Sequence, residues 1–542
     1  MLPPPHSARA LALAVLAAAS AHLLALAAPV AVSISSGSPP VHRVAPEYVS
    51  FNLDWHFDDE EWPAWRGASV MNMSLTEPNL AFLTAALAPA HLRVGGSEGD
   101  LVVYVLPGYP CAIPAEQNST ANPVPFCLNA TRWAQIHIFA AQAGVTLAFG
   151  LNAMAGRRSA SARMNTSNLA AFIAATAAAG YDASNTLPWL EFVRARAAAA
   201  VAVLPPARRR PPPPQPPRSL RPAPPSFSPQ GNELEYKADA APYAADLREV
   251  SALIAAAWPD AAKRPRIVAN DENPDPSYWE AMLPLVGSAV SAASWHEYVG
   301  YGLDPELPSK ALNFSFLDGI KGTAAAQVAA AAKARFAGEL WVGETALAWH
   351  SGRDNTTNAF ASTFWYLHQL GSYAATHTVQ CRQALLGGNY ELIDKMTRQP
   401  NPDFWLALLF KRTMGTGVLT ATADAGAAPQ LRVYAHCAAG APAGRGVTLA
   451  FANLSPDTPV TLTVSGGGGA PLTAPRSEWH LTAPGGDMTS RTVLLNGAPL
   501  LYGGPGRLDP AAPRVVVDPA APLVIAPRSN GFVTWPDAPN MC

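Results

Sequence analysis

Short apolar runs ending in a single polar residue recur along this chain, with stretches of helical composition between them. Val145 to Asn152, Arg266 to Ala269, Ala293 to His296 and Glu339 to Val342 are such runs. Asp246 to Ala257, Tyr278 to Leu285 and Gly322 to Ala337 are the intervening stretches. This alternation predicts a parallel sheet, because a parallel strand is reached only through a crossover, usually a helix. Val41 to Leu53 reads as extended, His91 to Gly96 as a short strand ended by glycines, and Trp189 to Phe192 as the start of another strand. Asn79 to Pro89, Trp133 to Gly144 and Leu169 to Gly180 read as helices. A chain of 542 residues has room for a closed (β/α)8 barrel and a smaller domain. Polar residues at successive strand ends favour the barrel over an open sheet.

Two strand ends carry a glutamate in company that suits catalysis. Gly231-Asn232-Glu233-Leu234 is one, and Trp341-Val342-Gly343-Glu344-Thr345 lies 111 residues further on. Strand ends of a parallel barrel converge on one face, so such residues meet there. Retaining glycoside hydrolysis needs two carboxyls about 5–5.5 Å apart across the scissile bond. We expect Glu233 as general acid/base and Glu344 as nucleophile. Asp271-Glu272 is a second acidic pair, but Asn-Pro and Asp-Pro follow at once, so it reads as a solvated loop.

After about Thr420 the texture changes. Leu431 to His436, Val447 to Phe451, Val460 to Val464, Thr492 to Leu495 and Gly531 to Trp535 are short strands between Gly and Pro turns. They predict a β-sandwich.

Charge narrows the partners. Formal net charge is −2, but residues 193–230 hold seven Arg and no acid, and the first 30 residues hold only Arg9. Setting these aside leaves 29 of the 37 basic side chains against 39 acidic ones. A body so acidic is a poor binder of nucleic acid or of a highly sulphated polymer. Arg9 precedes an apolar segment from Ala10 to about Ala28, followed by small residues, which reads as a signal peptide over 1–30, with a signal anchor as the alternative. Seven Asn-X-Ser/Thr sequons, at Asn72, Asn118, Asn129, Asn165, Asn313, Asn355 and Asn453, agree with secretion. Secretion to the extracellular space is expected; a vacuole, a lysosome, or peripheral association with membrane or cell wall are the alternatives. In an oxidising compartment Cys111 pairs with Cys127 and Cys437 with Cys542, leaving Cys381 as a buried thiol. No Cys-X-X-Cys is present, and His296-Glu297 lacks a second His at zinc-ligand spacing, so neither a metal nor another cofactor is expected.

Taken together, the motifs resemble those of glycoside hydrolase family 79, the heparanase-like proteins, and its plant-type β-glucuronidase branch. The carriers are His91-Leu92-Arg93-Val94-Gly95-Gly96, Gly231-Asn232-Glu233-Leu234, Ser294-Trp295-His296-Glu297-Tyr298, Val342-Gly343-Glu344-Thr345, Gly387-Gly388-Asn389-Tyr390, Asn401-Pro402-Asp403-Phe404-Trp405 and Leu431 to Cys437. The resemblance implies a barrel with the acid/base on strand 4 and the nucleophile on strand 7, and a sandwich that also takes an N-terminal strand. It implies boundaries at 31–48 for that strand, 49–420 for the barrel and 421–542 for the sandwich. It also implies that Asn232 bonds the sugar 2-hydroxyl, that Asp54, Tyr298, Tyr390 and the loop at Gly352 line a glucuronate subsite, and that His296 sits near the nucleophile. One departure stands out: heparanases carry a Gly-rich run after the nucleophile, where this chain has Trp349-His350-Ser351-Gly352.

The expected function is a retaining β-glucuronidase acting on a glucuronide or a glucuronate-containing glycan. Endo-cleavage of a heparan-like polymer and non-catalytic glycan binding are the alternatives. One segment conflicts with the barrel. Trp189-Leu190-Glu191-Phe192 and Gly231-Asn232-Glu233 join into one strand if residues 193–230 are removed. That block holds twelve Pro, which cannot continue a central strand. Its first residue, Val193, takes a codon beginning GT, its last, Gln230, can take CAG, and its length is in frame. We read Val193–Gln230 as a retained or mispredicted intron; a translated block would have to loop out and split the strand that carries Glu233.

Overall fold

The computed structural model describes residues 28–35, 39–56, 63–111, 126–157, 159–181, 226–227, 238–424, 426, 428–442, 444–473 and 475–542. The signal-peptide reading, Asn232, Glu233 and most of the 193–230 block lie outside these residues.

Eight parallel strands close a barrel. In chain order they are β1 (Val49–Asp54), β2 (His91–Gly95), β3 (Thr146–Phe149), β4 (Ser226–Phe227), β5 (Arg266–Glu272), β6 (Ala292–Tyr301), β7 (Glu339–Trp349) and β8 (Val379–Arg382). Both faces of such strands are covered, and β1, β2 and β8 are buried throughout, as the helices of a crossover sheet require. The helix Ala130–Ala143 shows how local sequence sets the ends. Asn129 caps its first turn by accepting from Arg132 N, and Gly144 ends it in the left-handed region at φ 64°. β8 was not legible in the sequence. Its four residues include Gln380 and Arg382, which are buried yet break the apolar pattern.

The second unit is a two-sheet sandwich. A four-stranded sheet holds Ala421–Ala423, Val30–Ile34, Val460–Ser465 and Leu523–Ile525 in that order, so the N-terminal strand sits in its middle. The larger sheet begins with His42–Arg43 and Met414–Leu419, which places the sandwich boundary before Met414 rather than at 421. Apolar side chains of the two sheets, among them Val32, Leu449, Leu462 and Val533, form one buried cluster. Helix Ser362–Tyr373 joins barrel to sandwich. Gly371 leaves room for the Tyr434 ring, which any Cβ would strike, and Tyr434 Oη bonds His368 Nδ1. Disulfides link Cys111 to Cys127 and Cys437 to Cys542, and Cys381 is a buried free thiol.

Candidate active site

The carboxyl ends of β1, β2, β5, β6 and β7 converge on Glu344. Two irregularities in neighbouring strands produce the arrangement. Asp271 is an extra residue in β5, since Ser294 faces Asn270 and Trp295 faces Glu272. Gly343 is an extra residue in β7, since Trp295 faces Val342 and His296 faces Glu344. Bulges of this kind re-aim side chains next to active sites. Here they act together: a Cβ on Gly343 would collide with Asp271 Oδ1 and Ser294 Oγ. Glycine before the glutamate is therefore a packing requirement set by the adjacent strand.

Arg93, on β2, bridges the two carboxylates. Its Nε donates to Asp271 Oδ2 at 2.6 Å and its Nη1 to Glu344 Oε2 at 3.0 Å. Ser294 Oγ donates to the other oxygen of Asp271, and Tyr298 Oη to Glu344 Oε1. His296 Nε2 lies 3.8 Å from Asp271 and 3.9 Å from Glu344. Burial alone would raise the Asp271 pKa, but Arg93, His296 and Ser294 outweigh it and hold it below the usual value. Burial likewise opposes the charge on Arg93, and the carboxylates of Asp271, Glu344 and Asp54 reverse that effect. The result is a buried cation that keeps Glu344 oriented, with 10% of the Glu344 side chain still open to the cleft. Glu297 does not join this group: its Oε2 accepts from Tyr373 Oη at 2.8 Å, and burial pushes its pKa up to about 8.

Asp54 ends β1 on the other side of the pocket. Gln383 Nε2 donates to its Oδ2, while its buried Oδ1 accepts no hydrogen bond among the described residues. Burial first, then the charge of Glu344, raises its pKa well above the ordinary carboxyl value, against Arg93 and Gln383. Tyr390 completes the wall. Gly388 and Gly352 (φ 68°) both press on its ring: a Cβ on Gly352 would lie 2.8 Å from Tyr390 Cδ1. Trp65 meets Tyr390 edge to face at 6.1 Å.

The structure therefore brings Glu344, Tyr298, His296, Asp54, Tyr390 and Gly352 around one pocket. The expected separation of Glu233 from Glu344 lies outside the described residues. Asp271 is a correction: instead of a solvated loop it is fully buried at the end of β5. The rule that found Glu344, a carboxylate ending an apolar run, applies equally to Arg266-Ile267-Val268-Ala269-Asn270-Asp271; the prolines that follow obscured it. Gln383 and Trp65 carried no sequence signal, because their roles come from contacts across the barrel. Among the described residues no group of three or more His, Cys, Asp or Glu side chains is placed to hold a metal ion.

The family model for the glycosyl hydrolase family 79 N-terminal domain matches residues 30–189 and 228–371. Heparanase-like protein 1 of Arabidopsis thaliana is 29% identical over 93% of this chain and 93% of its own length. Baicalin-beta-D-glucuronidase of Scutellaria baicalensis is 27% identical over 92% of this chain and 90% of its own. Among solved structures, the GH51 arabinofuranosidase from Xanthomonas axonopodis pv. citri superposes with a TM-score of 0.59 at 15% identity, covering 93% of this chain and 99% of that one. At that identity the likeness bears on the fold alone.

Proposed function

This chain belongs to glycosyl hydrolase family 79 and is a glycoside hydrolase, and on that premise we propose that it is a retaining β-glucuronidase. Glu344 attacks the anomeric carbon while Glu233 protonates the departing oxygen; Glu233 then takes a proton from water, which releases glucuronate from Glu344. The observation that carries this reading is the environment of Glu344. Arg93 and Tyr298 each hold one of its oxygens, which orients the carboxylate for attack, as a nucleophile requires. Across the pocket, the Tyr390 hydroxyl is a hydrogen-bond donor suited to the sugar carboxylate, Asp54 lines the same subsite, and Asn232 lies beside the acid in sequence to meet the 2-hydroxyl. His296 Nε2 lies near the nucleophile, 3.9 Å from Glu344. Two disulfides support placing the protein in the secretory route, where such bonds persist.

A panel of aryl glycosides tests the reading. Glucuronide turnover is expected to exceed that of glucoside, galactoside and arabinofuranoside, and a 2-fluoro-glucuronide is expected to label Glu344. Preference for a neutral sugar, or labelling at another residue, sinks it. Tyr390→Phe is expected to harm glucuronides more than glucosides; equal loss on both would leave Tyr390 a packing residue.

A further inference from the structure

Strands β6 and β7 are the longest in the barrel, 10 and 11 residues, and each ends in an aromatic residue. Tyr301 and Trp349 are register partners. Their rings stack with centroids 4.4 Å apart at 30°, and they remain 36% and 50% exposed. The chain beyond Trp349 turns back through His350, Ser351 and Gly352, at φ 60°, 60° and 68°. Left-handed geometry is unfavourable at residues other than glycine, so contacts must hold the turn at His350 and Ser351. They do: Ser351 Oγ accepts from Trp65 Nε1 at 2.9 Å and Ser351 O from Asn389 N at 2.7 Å, while Gly352 lies against Tyr390. The aromatic pair is therefore fastened to the rim of the pocket that holds Glu344.

The rim offers flat apolar surface instead of charge. Leu303, just beyond Tyr301, is 59% exposed. Neighbouring cations are engaged locally: Lys310 with Asp304 and Glu306, and Arg353 with the Asp304 carbonyl. Exposed aromatic surface beside a pocket marks a contact surface, and stacked rings present it with little conformational freedom to lose.

We propose that Trp349, backed by Tyr301, is the leaving-group subsite, and that it selects an uncharged ring presenting a flat face, such as an aryl aglycone. The proposal rests on the glucuronidase reading and adds the chemistry of the group on the other side of the scissile bond. Binding tests it without requiring turnover. Calorimetric titration of the full chain with phenyl and methyl 1-thio-β-D-glucuronide, whose sulfur bridge resists hydrolysis, separates ring stacking from sugar recognition. Trp349→Ala is expected to weaken the phenyl glucuronide roughly three- to ten-fold, the range expected from one aromatic contact. The methyl glucuronide is expected to change less than about two-fold, and Trp349→Phe to recover most of the phenyl affinity. Equal weakening of both ligands by Trp349→Ala, or no weakening of either, overturns the subsite while leaving the glucuronidase reading intact. Wild-type protein that binds neither glucuronide sinks that reading, and this subsite with it.

Discussion

Asp271 and Asp54 sit in one pocket and titrate in opposite directions, because each carboxyl meets a different neighbour. Asp271 shares Arg93 with Glu344, and its lowered pKa contributes stability above the ordinary Asp range that is lost as pH falls through the lowered value. Asp271→Asn leaves the buried guanidinium short of one anion. It is expected to cost about 3 kcal/mol in urea denaturation at neutral pH, with the difference from wild type shrinking as the solution is acidified. An unchanged midpoint would mean that Asp271 does not brace the site. Asp54 behaves in the reverse sense. Its raised pKa contributes stability below the ordinary Asp value that is lost as pH rises through the raised one. Asp54→Asn, which cannot ionise, is expected to gain stability relative to wild type as pH rises from acid to neutral. Parallel stability curves for the two proteins would mean that folding does not raise the Asp54 pKa.

At the scale of elements, the weak point is β4. Two residues, Ser226 and Phe227, fill the place between β3 and β5, and both belong to the Pro/Arg-rich block. The family match also breaks over residues 190–227, close to the boundaries read from the strand pattern. These observations support the proposal that residues 193–230 are a retained intron and that β4 of the functional protein runs from Trp189 through Phe192 directly into Gly231. Sequencing the transcript across codons 189–235 is expected to yield reads without the block. Reads that all contain it, together with active protein in which the block is intact, would end the proposal. The strand end bearing Glu233 would then follow a Pro-rich insertion, a poor support for a residue that must be held in place.

Across the whole molecule, a disulfide ties the last residue of the chain back to the sandwich. The Cys437–Cys542 bond spans 105 residues, and a loop of that size is worth up to about 4–5 kcal/mol on chain-entropy grounds. Cys542→Ser is expected to lower the urea midpoint under non-reducing conditions, with strand Ser529–Pro539 losing amide protection first. A midpoint unchanged from wild type would show that packing alone holds the C-terminus. How the two units are built was legible in the sequence where side chains repeat with a local period. Alternating apolar runs and helices announced the barrel, short runs between Gly and Pro turns announced the sandwich, and a glutamate ending an apolar run announced Glu344. β8 and the Met414–Leu419 strand did not show there, and neither did Asp271 as one of the carboxylates that Arg93 braces. Burying Gln380, Arg382 or Asp271 depends on partners far away in the chain, and a one-residue bulge changes which face a side chain takes without changing composition. Sequence periodicity records what each segment buries; which buried charges meet, and at what distance, is decided only when the strands close into a ring.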